Sequence, residues 1–130
     1  LLVNAVLKEH WGRARPANSD VFGGSEVFSP ALIPSDQCAS NCSFVSGEGS
    51  AAVTLGIAML ALMPVVQRHL PTWAIKAWRF AAFLIPLATL LQRIATGRHF
   101  LSDSAFATLF MLGIALILWR LIPATAERGV

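Results

Sequence analysis

Long uncharged runs separated by short polar joints set the pattern of this chain. Residues 49 to 67 read GSAAVTLGIAMLALMPVVQ, residues 80 to 92 read FAAFLIPLATLLQ, and residues 104 to 119 read SAFATLFMLGIALILW. A membrane-spanning helix needs roughly 20 residues, within a range of about 17 to 25. The first run suffices alone, and the other two suffice with their flanks. Trp73 to Trp78 extend the second run if Lys76 and Arg79 lay their stems along apolar surface and hold their charges at the headgroups. The pattern therefore predicts spans near 49–67, 76–95 and 103–122. Pro86 inside the second is tolerated in a membrane with a local kink, Gly97 closes it, and the third stops before Pro123. Buried core helices are the alternative for the two shorter runs, yet a water-soluble chain of 130 residues has little with which to cover three such helices.

The joints carry their own signals. Residues 1 to 14 predict a helix that ends near Pro16, because proline disfavours helix in the residue before it. LLVNAVL, residues 1 to 7, reads as the end of an apolar helix that continues upstream, so the chain is expected to be a piece of a longer protein. Residues 17 to 47 form a long connection rich in Ser, Pro, Gly, Asn and Asp, with apolar pairs at Val21-Phe22, Val27-Phe28 and Leu32-Ile33. Either those pairs dip into a membrane surface or the segment is a loose loop. Cys38 and Cys42 lie in it, as a bridge or as two thiols, with no histidine close enough in sequence to suggest a metal site. Residues 68 to 75 make a turn around Pro71. Trp73, Trp78 and Trp119 fall near span ends, where tryptophan anchors helices at the interface, and Trp11 stands beside a basic cluster, within reach of headgroups or acyl chains.

Composition agrees with the pattern. The chain is 55% hydrophobic and 13% charged, where soluble domains carry about 25% charged residues. The solvent implied is a bilayer. The net charge of +3 is scattered at the ends of apolar runs, not gathered into the stripe that a nucleic-acid binder needs. No basic start, apolar centre and small-residue cleavage site follow one another as in a signal peptide.

Antiparallel spans bring distant polar residues to one side of the membrane: the basic end of segment 1 to 16, Ser46-Gly47-Glu48, Arg93 to Arg98, and His99 to Asp103. Lys8, Arg15 and Arg93 each have an ordinary reading as snorkelling cations. Together with a helix opening at Ser46-Gly47 they suggest a phosphate cradle, since guanidinium forks match phosphate oxygens and a helix start offers free N–H groups. His99 and Asp103 are one helical turn apart, so the carboxylate can hold one ring nitrogen and leave the other free to attack. A histidine paired for structure at a helix start is the plainer alternative. Basic residues are equal in number on the two sides, so charge alone does not orient the chain. If the clustered cations serve an anion, the other side is cytoplasmic.

Lys8-x6-Arg15-Pro16, then Ser46-Gly47, then Arg93-x5-His99-x3-Asp103 resembles the three-part signature of the type 2 phosphatidic acid phosphatase superfamily, which includes membrane lipid phosphatases and shares its site with vanadium haloperoxidases. The resemblance implies an all-α membrane bundle with further helices upstream, the whole chain forming one partial domain. It implies an integral membrane phosphatase acting on a lipid phosphate or diphosphate, without metal or cofactor; with the clustered cations assigned to that anion, the charge count then leads to the expectation of a bacterial inner membrane protein with its site toward the periplasm. Lys8, Arg15, Ser46, Gly47 and Arg93 would bind phosphate, His99 would form a phosphohistidine, and Asp103 would orient it. Two positions depart from the family pattern. Gln92 stands where a serine is usual, and Glu48 stands where the family's histidine protonates the leaving oxygen. Glu48 is expected to act as that acid, because a bound phosphate dianion raises a carboxyl pKa against the lowering by nearby cations. A degenerate site that binds anionic headgroups, a contact from Glu48 to another substrate group, replacement of the acid by His10, and phosphoryl transfer to a second lipid are the alternatives.

Overall fold

The computed structural model describes residues 7–121. Among them the regular structure is helical, with no strand and one isolated bridge between Ser19 and Glu26. Four helices carry the architecture: α1 (Gly47–Ala61), α2 (Met63–His69), α3 (Thr72–Ala95) and α4 (Leu101–Leu121). Helices α3 and α4 are each long and apolar enough to cross a membrane, and α1 with α2 passes as a broken third span. The all-α membrane bundle expected from the apolar runs is the fold observed.

The expected span over 49–67 is bent by 54° between α1 and α2. Pro64 sits in the first turn of α2, where its missing N–H leaves no hydrogen bond unmade within that helix, but it prevents α1 from running on. Pro86, by contrast, lies inside α3 without ending it. Its ring removes the N–H that would bond the Ala82 carbonyl four residues back. That carbonyl turns to Gly56 of α1, where a Cβ would lie 2.5 Å from the Ala82 oxygen and 2.8 Å from the Pro86 ring. Gly56 and Pro86 thus form one close helix crossing. Trp78 reinforces it by donating its indole N–H to the Met59 carbonyl at 2.7 Å, so this tryptophan ties α3 to α1. Helix α1 packs against both α3 and α4 and forms the centre of the bundle.

Residues 7–10 are helical, and the chain then leaves the helix well before Pro16. Gly12 is the reason: its φ of +65° is left-handed, and the Ser35 carbonyl presses where a side chain would be. The segment Leu1 to Val6 read as an upstream helix end, and the stop before Pro123, lie outside the described residues. The long connection is an ordered cover. It contains short 3-10 turns at Pro16–Asn18 and Asp20–Phe22, and Cys38 is bridged to Cys42. Trp11 stacks on Phe44 with ring centroids 4.9 Å apart and donates to the Ala31 carbonyl. It therefore pins this cover to a small core of Phe44, Val45 and Ala107. The apolar pairs at Val21-Phe22, Val27-Phe28 and Leu32-Ile33 remain exposed, as do most apolar side chains of α3 and α4.

Candidate active site

The start of α1, the end of α3 and the start of α4 meet under the loop cover, and the polar residues cluster there. Ser46 is fully buried and caps α1, its hydroxyl accepting from the Gly49 N–H at 3.2 Å. One orphan N–H of the first turn is thereby satisfied, and the Glu48 N–H is taken by the Glu48 carboxylate, which leaves the Gly47 amide at the helix's positive end. A Cβ at Gly49 would meet Leu90 of α3 and the Ser46 hydroxyl, so glycine there lets α1 start close to α3.

His99 follows the left-handed Gly97 that ends the α3 turn, and its backbone N–H donates back to the Arg93 carbonyl at 3.3 Å. The imidazole is 1% exposed. Its Nδ1 lies 2.7 Å from the Ser43 carbonyl, an acceptor only, so Nδ1 carries the proton. Nε2 is then the lone-pair nitrogen. It has no hydrogen-bond partner, and a Glu48 carboxylate oxygen lies 3.6 Å away. Burial pushes the imidazole below its ordinary pKa, against the Ser43 carbonyl, Asp103 and Glu48 that favour its charged form. At neutral pH His99 is an uncharged base with an open nitrogen.

Asp103 stands 4.0 Å from His99 Nδ1, beyond hydrogen-bond reach. The direct carboxylate–imidazole bond expected from the spacing is replaced by a longer connection. One Asp103 oxygen takes a short bond from Arg13. The other accepts from the Ser43 hydroxyl at 2.5 Å and from the Phe100 N–H at 2.9 Å, closing the first turn of α4. Asp103 fixes Ser43, and the Ser43 carbonyl fixes His99. Arg13, 2% exposed, also donates to the Ser29 carbonyl and the Ser102 hydroxyl, and its guanidinium lies 4.1 Å from the centre of the Phe100 ring. The sequence reading missed Arg13 and Ser43 as parts of the site. The available signal was Asp103 itself, since a carboxylate entering an apolar bundle requires a counter-charge.

The remaining expected residues surround the open side. Glu48 is 45% exposed, with Arg93 at 3.7 Å and His99 at 3.6 Å. Arg93 keeps a buried Nε without a partner. Arg15 donates twice to the Asn41 carbonyl, at 2.8 and 3.2 Å. Burial and the neighbouring cations Arg98 and Arg93 push its guanidinium below the ordinary value, opposed by Glu48. Lys8 acts electrostatically on Glu48 from the residue 7–10 helical turn. The structure therefore brings Lys8, Arg15, Arg93, His99 and Glu48 to one cleft. Ser46 is occupied as a cap, and His10 is exposed on its helical turn. An arriving anion would relieve crowded cations, meet the α1 N-terminus and touch a neutral imidazole nitrogen.

These features define an all-helical membrane protein with a histidine–carboxylate–guanidinium site at the converged ends of its helices. A family model described as PAP2 superfamily matches residues 1–127, and the chain belongs to that superfamily. It is 40% identical over 128 residues to a lipid A 4'-phosphatase of Rhizobium leguminosarum, covering 98% of this chain and 52% of the relative. A lipid A 4'-phosphatase of Francisella tularensis subsp. novicida is 37% identical, with 98% and 54% covered. One of Rhizobium etli is 39% identical, with 98% and 46% covered. The chain spans about half the length of the curated relatives it matches. No solved structure matches it.

Proposed function

We propose that the protein is a membrane phosphatase that removes a phosphate monoester from a lipid, with His99 as nucleophile. The open Nε2 of a buried, uncharged His99, facing the Glu48 carboxylate that the Arg93 guanidinium also approaches, carries this reading. Lys8, Arg15 and Arg93 hold the phosphate oxygens with the Gly47 amide at the start of α1. The Nε2 lone pair attacks phosphorus and the P–O ester bond breaks, while the Glu48 carboxylate, having taken the proton that a monoanionic phosphate ester brings in, passes it to the leaving oxygen. Water then attacks the phosphohistidine, Glu48 takes back a proton, and the P–N bond breaks to release phosphate and neutral His99. The names of the relatives favour a phosphorylated glycolipid of the lipid A type as substrate. The site then faces the periplasm from a bacterial inner membrane.

Phosphate release by the full-length protein in mixed micelles tests the mechanism. His99→Ala is expected to lower kcat by about three orders of magnitude or more. Glu48→Gln is expected to lose about 100-fold, with Glu48→His retaining more than Gln. Full activity of His99→Ala overturns the proposal, and full activity of Glu48→Gln removes Glu48 as the acid.

A further inference from the structure

Beside the cleft lies a polar cavity of about 610 Å³, large enough for a substantial ligand. Arg15 belongs to both, and Arg98, the residue before His99, forms part of its lining. Asn18, Glu26, Gln37 and Asn41 supply other polar groups around it. Their mixture of two guanidinium groups, one carboxylate and three amides differs from the cation-only lining of a simple anion site.

The cavity is also a built one. Its floor is held where the Ala17 N–H donates to the Gly97 carbonyl at 3.0 Å, with the left-handed Gly97 giving the close approach. One wall contains Cys38 to Asn41 and is closed by the Cys38–Cys42 bridge. The Asn41 carbonyl on that wall holds Arg15, so the wall and the cleft are set by one contact. The side chains of Asn18, Asn41 and Arg98 make no hydrogen bond or ion pair with the described residues.

A phosphate bound by Arg15 carries an ester substituent, and the next chemical group must lie either in lipid or in this cavity. An acyl glycerol would place apolar surface and one or two ester oxygens there. A sugar ring would place hydroxyl and amide groups against paired donors and acceptors, which the lining matches. We infer that the cavity bounded by Arg15, Arg98, Asn18 and Asn41 receives the amino-sugar part of the substrate and sets the preference for phosphorylated glycolipids. This inference rests on the phosphatase reading of the adjoining cleft.

The test measures kcat/KM of the full-length protein in micelles for a lipid phosphorylated on a glucosamine disaccharide and for phosphatidate of matched acyl chains. Arg98→Ala and Asn41→Ala are each expected to lower the glycolipid-to-phosphatidate ratio about tenfold, chiefly through KM. A ratio unchanged in both variants overturns the inference while leaving the phosphatase intact. If the wild type releases phosphate from neither lipid, the phosphatase reading fails, and a titration with phosphate-free glucosamine disaccharide decides the cavity alone. Saturable binding weakened by Arg98→Ala retains the sugar site; absence of saturable binding to the wild type overturns it.

Discussion

The ionisation of His99 is governed by two opposed influences at a single ring. Burial disfavours the imidazolium, and the Ser43 carbonyl with the Asp103 and Glu48 carboxylates favours it; burial prevails, so the folded pKa lies below the ordinary 6.5. Between that lower value and 6.5 the unfolded chain binds more protons than the folded one. This contribution to stability is therefore present above pH 6.5 and is lost as pH falls toward the folded value. In the mechanism proposed the same sign applies to reactivity, since protonation at Nε2 would remove the lone pair assigned to the attack. An NMR titration of isotope-labelled His99 is expected to give a midpoint below 6.5. A midpoint above it would mean that the carboxylates outweigh burial and that Nε2 is protonated near neutrality. Spacing alone suggested a direct Asp103 bond to this ring. What the spacing cannot convey is that Arg13 and Ser43 compete for the same carboxylate and take both of its oxygens.

Among the elements, α1 does most of the positioning. Its N-terminus supplies Ser46, Gly47 and Glu48, while Gly56 one face along allows α3 to lie close enough to bring Arg93 across. Replacing Gly56 with Leu drives a branched side chain into the Ala82 carbonyl and the Pro86 ring, neither of which can swing aside. Overpacking of this kind typically costs about 1 to 3 kcal/mol. Thermal unfolding in micelles is expected at a lower temperature for Gly56→Leu, with KM for the lipid phosphate raised because Arg93 moves with α3. An unchanged melting temperature would show that the crossing is looser than the Gly56–Ala82 approach implies. Pro64 and Pro86 illustrate how little a residue type says about an element's fate. Both lie in apolar runs, but only the first coincides with a break, while the second packs within α3 at the close crossing with Gly56.

For the molecule as a whole, the residues of the site sit at one end of the bundle, while Trp73 at the start of α3 lies at the other. In the orientation proposed, the loop cover is periplasmic and the start of α3 cytoplasmic. A single cysteine placed at Ser40 in a Cys38→Ser, Cys42→Ser background is expected to react with a membrane-impermeant maleimide added to intact cells. One placed at Trp73 is expected to react only after the inner membrane is opened. The reverse pattern would place the site in the cytoplasm.

The apolar runs by themselves determined that this is a helical membrane chain, because burial of some 20 successive apolar residues has few solutions in any solvent and a bilayer supplies the commonest. They also placed Lys8, Arg15, Glu48, Arg93 and His99 on one side, since antiparallel spans return the chain to the same face each time. Only the tertiary structure decided which cation is buried. Arg13 and Arg15 are separated by one residue, but the turn at Gly12 sends Arg13 into the bundle against Asp103 and leaves Arg15 at the cleft. The route from Asp103 to His99 through Ser43, the break between α1 and α2, and the cavity beside the site were settled in the same way. Each depends on contacts between residues far apart in sequence, whose directions no local periodicity encodes.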